Sequence, residues 1–135
     1  MRAVSILIMF VIITVLSAGC ENSEGPDAVK LIVLKRAGLE NKFENYKEVT
    51  DPKTVSKVRS MVNVKNGEWK KDVKRKEAPP DYQFYFQRVD GKVIETVYYE
   101  VWYTDSVAEI FFVWDNPFDK RFSKEDSVEL IEVIR

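Results

Sequence analysis

The clearest pattern in the chain is a run of alternating apolar and polar positions from Tyr82 to Trp114. Three aromatic and β-branched stretches are separated there by two short polar breaks, Asp90-Gly91 and Asp105-Ser106. Asp-Gly between such stretches is a strong hairpin signal, so the pattern predicts a three-stranded meander. A type I′ turn at Asp90-Gly91 sets Val89 opposite Lys92, Arg88 opposite Val93, Phe84 opposite Val97 and Tyr82 opposite Tyr99. A two-residue turn at Asp105-Ser106 sets Val101 opposite Ile110, Tyr99 opposite Phe112 and Val97 opposite Trp114. Side chains alternate faces along a strand. One face therefore collects Tyr82, Phe84, Phe86, Val93, Val97, Tyr99, Val101, Ile110, Phe112 and Trp114, interrupted by Glu95 alone, and reads as core. The other collects Gln83, Tyr85, Gln87, Ile94, Thr96, Tyr98, Glu100, Trp102, Glu109, Phe111 and Val113, and is mixed. A third residue in the second turn would slip the last strand by one and invert its faces.

On either side of the meander the signals are shorter. Val29–Leu34 is β-rich and predicts a first strand, and Phe43–Thr50 predicts its return after Ala37-Gly38. Asp51-Pro52 marks a helix start: aspartate accepts from free backbone N–H groups, and proline at the first helical position has no N–H to leave unsatisfied. Val55, Val58, Met61 and Val62 then recur at helical spacing, and Asn66-Gly67 predicts a left-handed stop, with the helix ending in the 63–67 region. Glu68–Lys76 is dense in charge and locally basic. It reads as a solvated edge strand, since edge lysines discourage sheet-to-sheet association; the alternative is contact with anionic head groups or wall polymers. Trp69 reads as a side chain capping the core. Ala78-Pro79-Pro80-Asp81 is an extended lead-in to the meander, and Asn116-Pro117 is expected to break the sheet after it. Ser123-Lys124-Glu125-Asp126 has the form of a capping box, with Val128, Leu130, Ile131, Val133 and Ile134 as the apolar stripe of a closing helix. The sum is a two-layer α+β domain: a mainly antiparallel sheet of five or six strands with two helices packed on one face.

The first residues are different in kind. Met1-Arg2 is followed by an apolar run from Val4 to Leu16, and then by Leu16-Ser17-Ala18-Gly19-Cys20. This stretch resembles a bacterial type II (lipoprotein) signal peptide, whose lipobox ends in the acceptor cysteine; Ser17 stands where leucine is commonest. The resemblance implies cleavage before Cys20, a diacylglyceryl thioether on its sulfur, and attachment to the cell membrane on the extracytoplasmic face. An uncleaved N-terminal anchor is the other reading, since residues 3–20 carry no charge. The chain then divides into a signal peptide at 1–19, a lipidated cysteine and polar tether at 20–27, and a single domain at 28–135. Seven tether residues, Glu21–Asp27, reach roughly 25 Å when extended. The order of the domain's signals is also similar to that of a group of small lipoproteins from low-GC Gram-positive bacteria, the YhfM-like lipoproteins. The residues concerned are Thr50-Asp51-Pro52, Trp69, Pro79-Pro80-Asp81-Tyr82 and the terminal Ser-Lys-Glu-Asp helix. That similarity implies location and fold, and brings no catalytic residues with it.

Composition narrows the chemistry. The 135 residues include no histidine and one cysteine, Cys20, and carry a net charge of −1. Histidine-dependent triads, Cys/His dyads and imidazole–thiolate metal sites are therefore excluded, and so is an intramolecular disulfide. A near-neutral balance gives no electrostatic case for nucleic acid. No cofactor or metal is implied. Glu95 on the apolar face would have a raised pKa if buried, or would pair with a cation near the sheet end. Glu100 and Glu109 lie on adjacent strands beside Trp102, a carboxylate pair of the kind glycosidases use. The better candidate is the aromatic part of the mixed face, Tyr85, Tyr98, Trp102 and Phe111, because tyrosine and tryptophan give contact area with a polar handle; cover by another segment is the competing reading. Three functions follow as expectations. The first is a membrane-anchored, non-catalytic binding module, held by lipid at Cys20 and engaging a protein partner of the cell envelope through the mixed face. The second is a small carboxylate-dependent hydrolase of envelope polymers. The third is a structural or accessory subunit.

Overall fold

The computed structural model describes residues 28–92, 97–114 and 116–135. Cys20 with the rest of residues 1–27, and Val93, Ile94, Glu95, Thr96 and Asp115, fall outside them. The elements are β1 (Val29–Arg36), β2 (Phe43–Val49), α1 (Pro52–Met61), β3 (Lys70–Lys71), β4 (Tyr82–Arg88), β5 (Tyr99–Thr104), β6 (Val107–Val113), β7 (Pro117–Arg121) and α2 (Lys124–Ile134). They form one antiparallel sheet in the order β2-β1-β4-β5-β6-β7-β3. Both helices contribute to the core on one face of it, so the two-layer α+β class holds.

Seven strands stand where five or six were expected. The additional strand is β7: Asn116-Pro117 does not end the sheet but turns the chain back along β6, with Val113 paired to Pro117. Proline is tolerated at the first residue of a strand, and its carbonyl still accepts from the amide of Asp72 at 3.0 Å. The charge-dense stretch supplies the two-residue edge strand β3, both of whose lysines are exposed.

The two turns of the meander exchange roles. Asp105 and Ser106 both have positive φ (53° and 65°) and make the two-residue turn, giving the expected register of Val101 with Ile110. At the first turn, by contrast, the Arg88 amide donates to Lys92 O and the Gly91 amide to Arg88 O. The loop is therefore Val89-Asp90-Gly91, with Gly91 alone in the left-handed region at φ 87°. Along the strands themselves Tyr82 pairs with Val101 and Phe84 with Tyr99, two positions from the expected partners, a shift in the opposite direction to the one that the three-residue loop alone would give. Because faces repeat every two residues, the face assignment survives this slip.

Leu31, Val33, Phe84, Phe86, Val101, Ile110 and Phe112 fill the core with Val55 and Val58 of α1 and Leu130, Ile131 and Ile134 of α2. Trp114, expected in that core, is 64% exposed. It lies one residue beyond the end of β6, where the pleat no longer fixes its direction. Asp51 caps α1 by accepting from the Thr54 amide at 2.8 Å, and Ser123 caps α2 by accepting from the Asp126 amide at 3.1 Å. Helix α1 stops at Met61, short of the expected Asn66-Gly67. Its end is closed from outside: the Lys120 ammonium on β7 donates to the carbonyls of Met61 and Asn66, and burial lowers its pKa. Gly67, at φ 89°, keeps this contact open, since a Cβ there would stand 2.7 Å from Lys120 Nζ. The buried Ser127 joins α2 to the sheet, accepting from the Ala108 amide at 2.8 Å and donating to Ser123 O at 2.6 Å.

Candidate functional site

The mixed face is divided in two by the chain that follows β3. Asp72, at φ 56°, turns the backbone out of the edge, and the segment from Val73 to Ala78 crosses the face. Arg75 grips Glu100 of β5 with two hydrogen bonds, and Lys76 meets Glu109 of β6 at 2.6 Å. Between those acids Trp102 donates its indole N–H to Ala78 O at 2.9 Å, and both cations lie within 6 Å of its ring. Trp102 and Phe111 are buried as a result, each 6% exposed. Paired charge and a satisfied indole make this a closed cover. Its two cations belong to the stretch that also forms the edge strand. Their acidic partners sit 25 and 33 positions away, which is why local pattern did not pair them.

The other half of the mixed face stays open. Tyr85 and Tyr98 have ring centroids 5.0 Å apart, with Tyr98 half exposed and Val113 exposed on the same face. The four aromatic residues expected to act together thus split into an open pair, Tyr85 and Tyr98, and a covered pair, Trp102 and Phe111.

Glu100 and Glu109 do not form the carboxylate pair that their spacing suggested, because each holds a different cation of the cover. Glu109 instead has a second acid beside it, Asp119 of β7. Burial raises the Asp119 carboxyl to about 6, and the charge of Glu109 and a hydrogen bond shared with it push in the same direction. Lys76 and Lys70 oppose the rise. A concavity of about 200 Å3 lies beside Glu109, between Trp102, Lys76, Arg121 and the β5–β6 turn. Asp119 escaped the sequence reading because β7 did. The available signal was the alternation Phe118, Lys120, Phe122 after the proline.

A second and larger concavity lies on the core side, between α1 and the sheet end that receives Ala28. It measures about 730 Å3, within the range of small-molecule sites. Its floor is aromatic: Phe86, Tyr99 and Phe112, with Tyr99 6.0 Å from Phe86 and 5.0 Å from Phe112 between centroids. Val55 of α1 and Val62 just past its end form the wall. The rim is polar and positive, with Ser56, Ser60 and Asn63 beside Arg59 and Lys65. The Arg59 guanidinium lies 5.6 Å above the Phe86 ring, so cation and apolar floor face the same space. Trp114 and Val64 stand exposed at the mouth. Sequence periodicity showed the apolar stripe of α1, but not the concavity beside it, since no local pattern encodes a space between distant elements.

Among the described residues no helix is long and apolar enough to cross a membrane. The chain matches no protein-family model, no curated protein and no solved structure.

Proposed function

We propose that the chain is a membrane-anchored, extracytoplasmic binding module without catalysis, held by lipid on Cys20, and that its site is the cleft between α1 and the sheet. The cleft carries this reading. It sets an aromatic floor directly against a cationic rim, an arrangement that accepts an amphiphile with an apolar body and an anionic head. The body lies on Phe86, Tyr99 and Phe112, while Arg59 and Lys65 meet the head with Ser56 and Ser60 as donors. The open Tyr85–Tyr98 pair is the smaller surface and serves a protein partner of the cell envelope.

Dodecyl phosphate below its micelle concentration is a suitable probe. Followed by amide NMR, it is expected to shift Val55, Arg59, Phe86 and Phe112 and to leave Trp102 and Phe111 in place. Ser56→Trp, at an exposed position on the rim, should abolish the shifts by filling the cleft. Shifts centred on Tyr85 and Tyr98, or shifts that survive in Ser56→Trp, would remove the cleft from the reading.

A second reading, a carboxylate-dependent hydrolase of envelope polymers, is favoured by one observation. Asp119, with its pKa near 6, sits against Glu109, and a carboxyl so tuned suits a general acid. Release of soluble fragments from isolated cell wall, lost in both Asp119→Asn and Glu109→Gln, would establish it. Wall left intact by the native chain dismisses it.

A further inference from the structure

We infer that the domain stands on the lipid bilayer by the sheet end that receives Ala28, so that the α1–sheet cleft opens toward the membrane and draws its amphiphile from it. This rests on the proposed anchoring at Cys20. The end is defined by the strands: Val29 pairs with Arg88, and Val113 with Pro117, while the Val89 amide donates to Ala28 O at 2.8 Å. Val64, Val89, Val113 and Trp114 are gathered there, four of the eight large apolar side chains exposed among the described residues. Scattered exposed apolar residues are ordinary, but a gathered set marks a contact surface.

The lipid surface is the occupant because of where the chain goes. Only Glu21–Asp27 separates Ala28 from the acylated cysteine, a reach of roughly 25 Å even if fully extended. The surface nearest the bilayer is therefore the one around Ala28. Tryptophan suits the head-group level, where one side of the ring is apolar and the other wet.

The test uses the full chain purified from membranes and reconstituted in phosphatidylglycerol–phosphatidylethanolamine vesicles with brominated acyl chains. Trp114 is exposed, Trp102 is buried and Trp69 packs against Phe112 and Phe118. Bromolipid should quench the Trp114 share of the emission in the native chain, and Trp114→Phe should show almost no quenching, while both float with the vesicles. Flotation with equal quenching in the two chains overturns the orientation and leaves the anchoring intact. Trp114 shielded from acrylamide but not quenched by bromolipid overturns it in favour of a second copy of the chain on that end. Failure of the native chain to float overturns the anchoring and the orientation together.

Discussion

Arg75 of the covering segment and Glu100 of the sheet's mixed face are joined by two hydrogen bonds, Nε to Oε2 at 2.5 Å and Nη2 to Oε1 at 2.9 Å. A fork of this kind fixes geometry as well as charge, and the Glu100 contact raises the Arg75 pKa further. It holds the Val73–Ala78 segment over Trp102 and so decides how much of that face a partner can reach. Glu100→Gln should destabilise the domain by about 1 kcal/mol, since the pair is only half-buried and part of its attraction is screened. Urea unfolding measures this. In the same variant Trp102 should become more accessible to acrylamide. Unchanged quenching would mean that the segment stays closed through Lys76 and Ala78 alone.

The Asp119–Glu109 contact predicts an unusual pH dependence. The folded pKa of Asp119 is raised from 3.8 to about 6, so folding favours the protonated carboxyl. The stability this contributes is complete below 3.8 and is lost as pH rises through 6. Asp119→Asn should therefore match the native chain at about pH 4 and exceed it at about pH 7.5, by about 1 kcal/mol after allowing for solvent screening. Unfolding midpoints at the two pH values test this. An asparagine variant less stable than the native chain at the higher pH would show that Asp119 is held ionised by Lys70 and Lys76.

What the sequence made legible was local. Asp51-Pro52 and Ser123 announce their helices because a cap acts within three residues. The core face follows from period-2 alternation, which survives even the two-position slip between Phe84 and Tyr99. What stayed hidden depended on distance along the chain or on a choice between near-equal turns. Asp-Gly fits both a two-residue and a three-residue loop, and here the three-residue loop formed. The capping of α1 by Lys120 arises only once β7 returns along β6, and the pairing of Lys76 with Glu109 only once β3 docks on β7. The mixed face and its cover by another segment were both legible in the sequence as alternatives; which half is covered, and the cleft, were not.

The proposed anchoring at Cys20 has its own consequence. Two acyl chains hold a protein on a membrane stably, where one alone holds it only marginally. Cys20→Ala should lose incorporated radiolabelled palmitate and move from the membrane fraction to the medium or the precursor pool. Label retained by the alanine variant would place the lipid elsewhere or remove it from the account of this chain.

The binding claim is tested most directly by what the protein carries. The native chain and Ser56→Trp can be purified from the same membranes in a mild detergent, freed of covalent lipid by separate analysis, and extracted with organic solvent for mass spectrometry. An anionic, acyl-bearing amphiphile recovered in near-stoichiometric amount from the native chain, and strongly depleted in Ser56→Trp, is the expected result. Equal recovery from the two chains, or none from either, would contradict a ligand seated between Arg59 and the rings of Phe86, Tyr99 and Phe112.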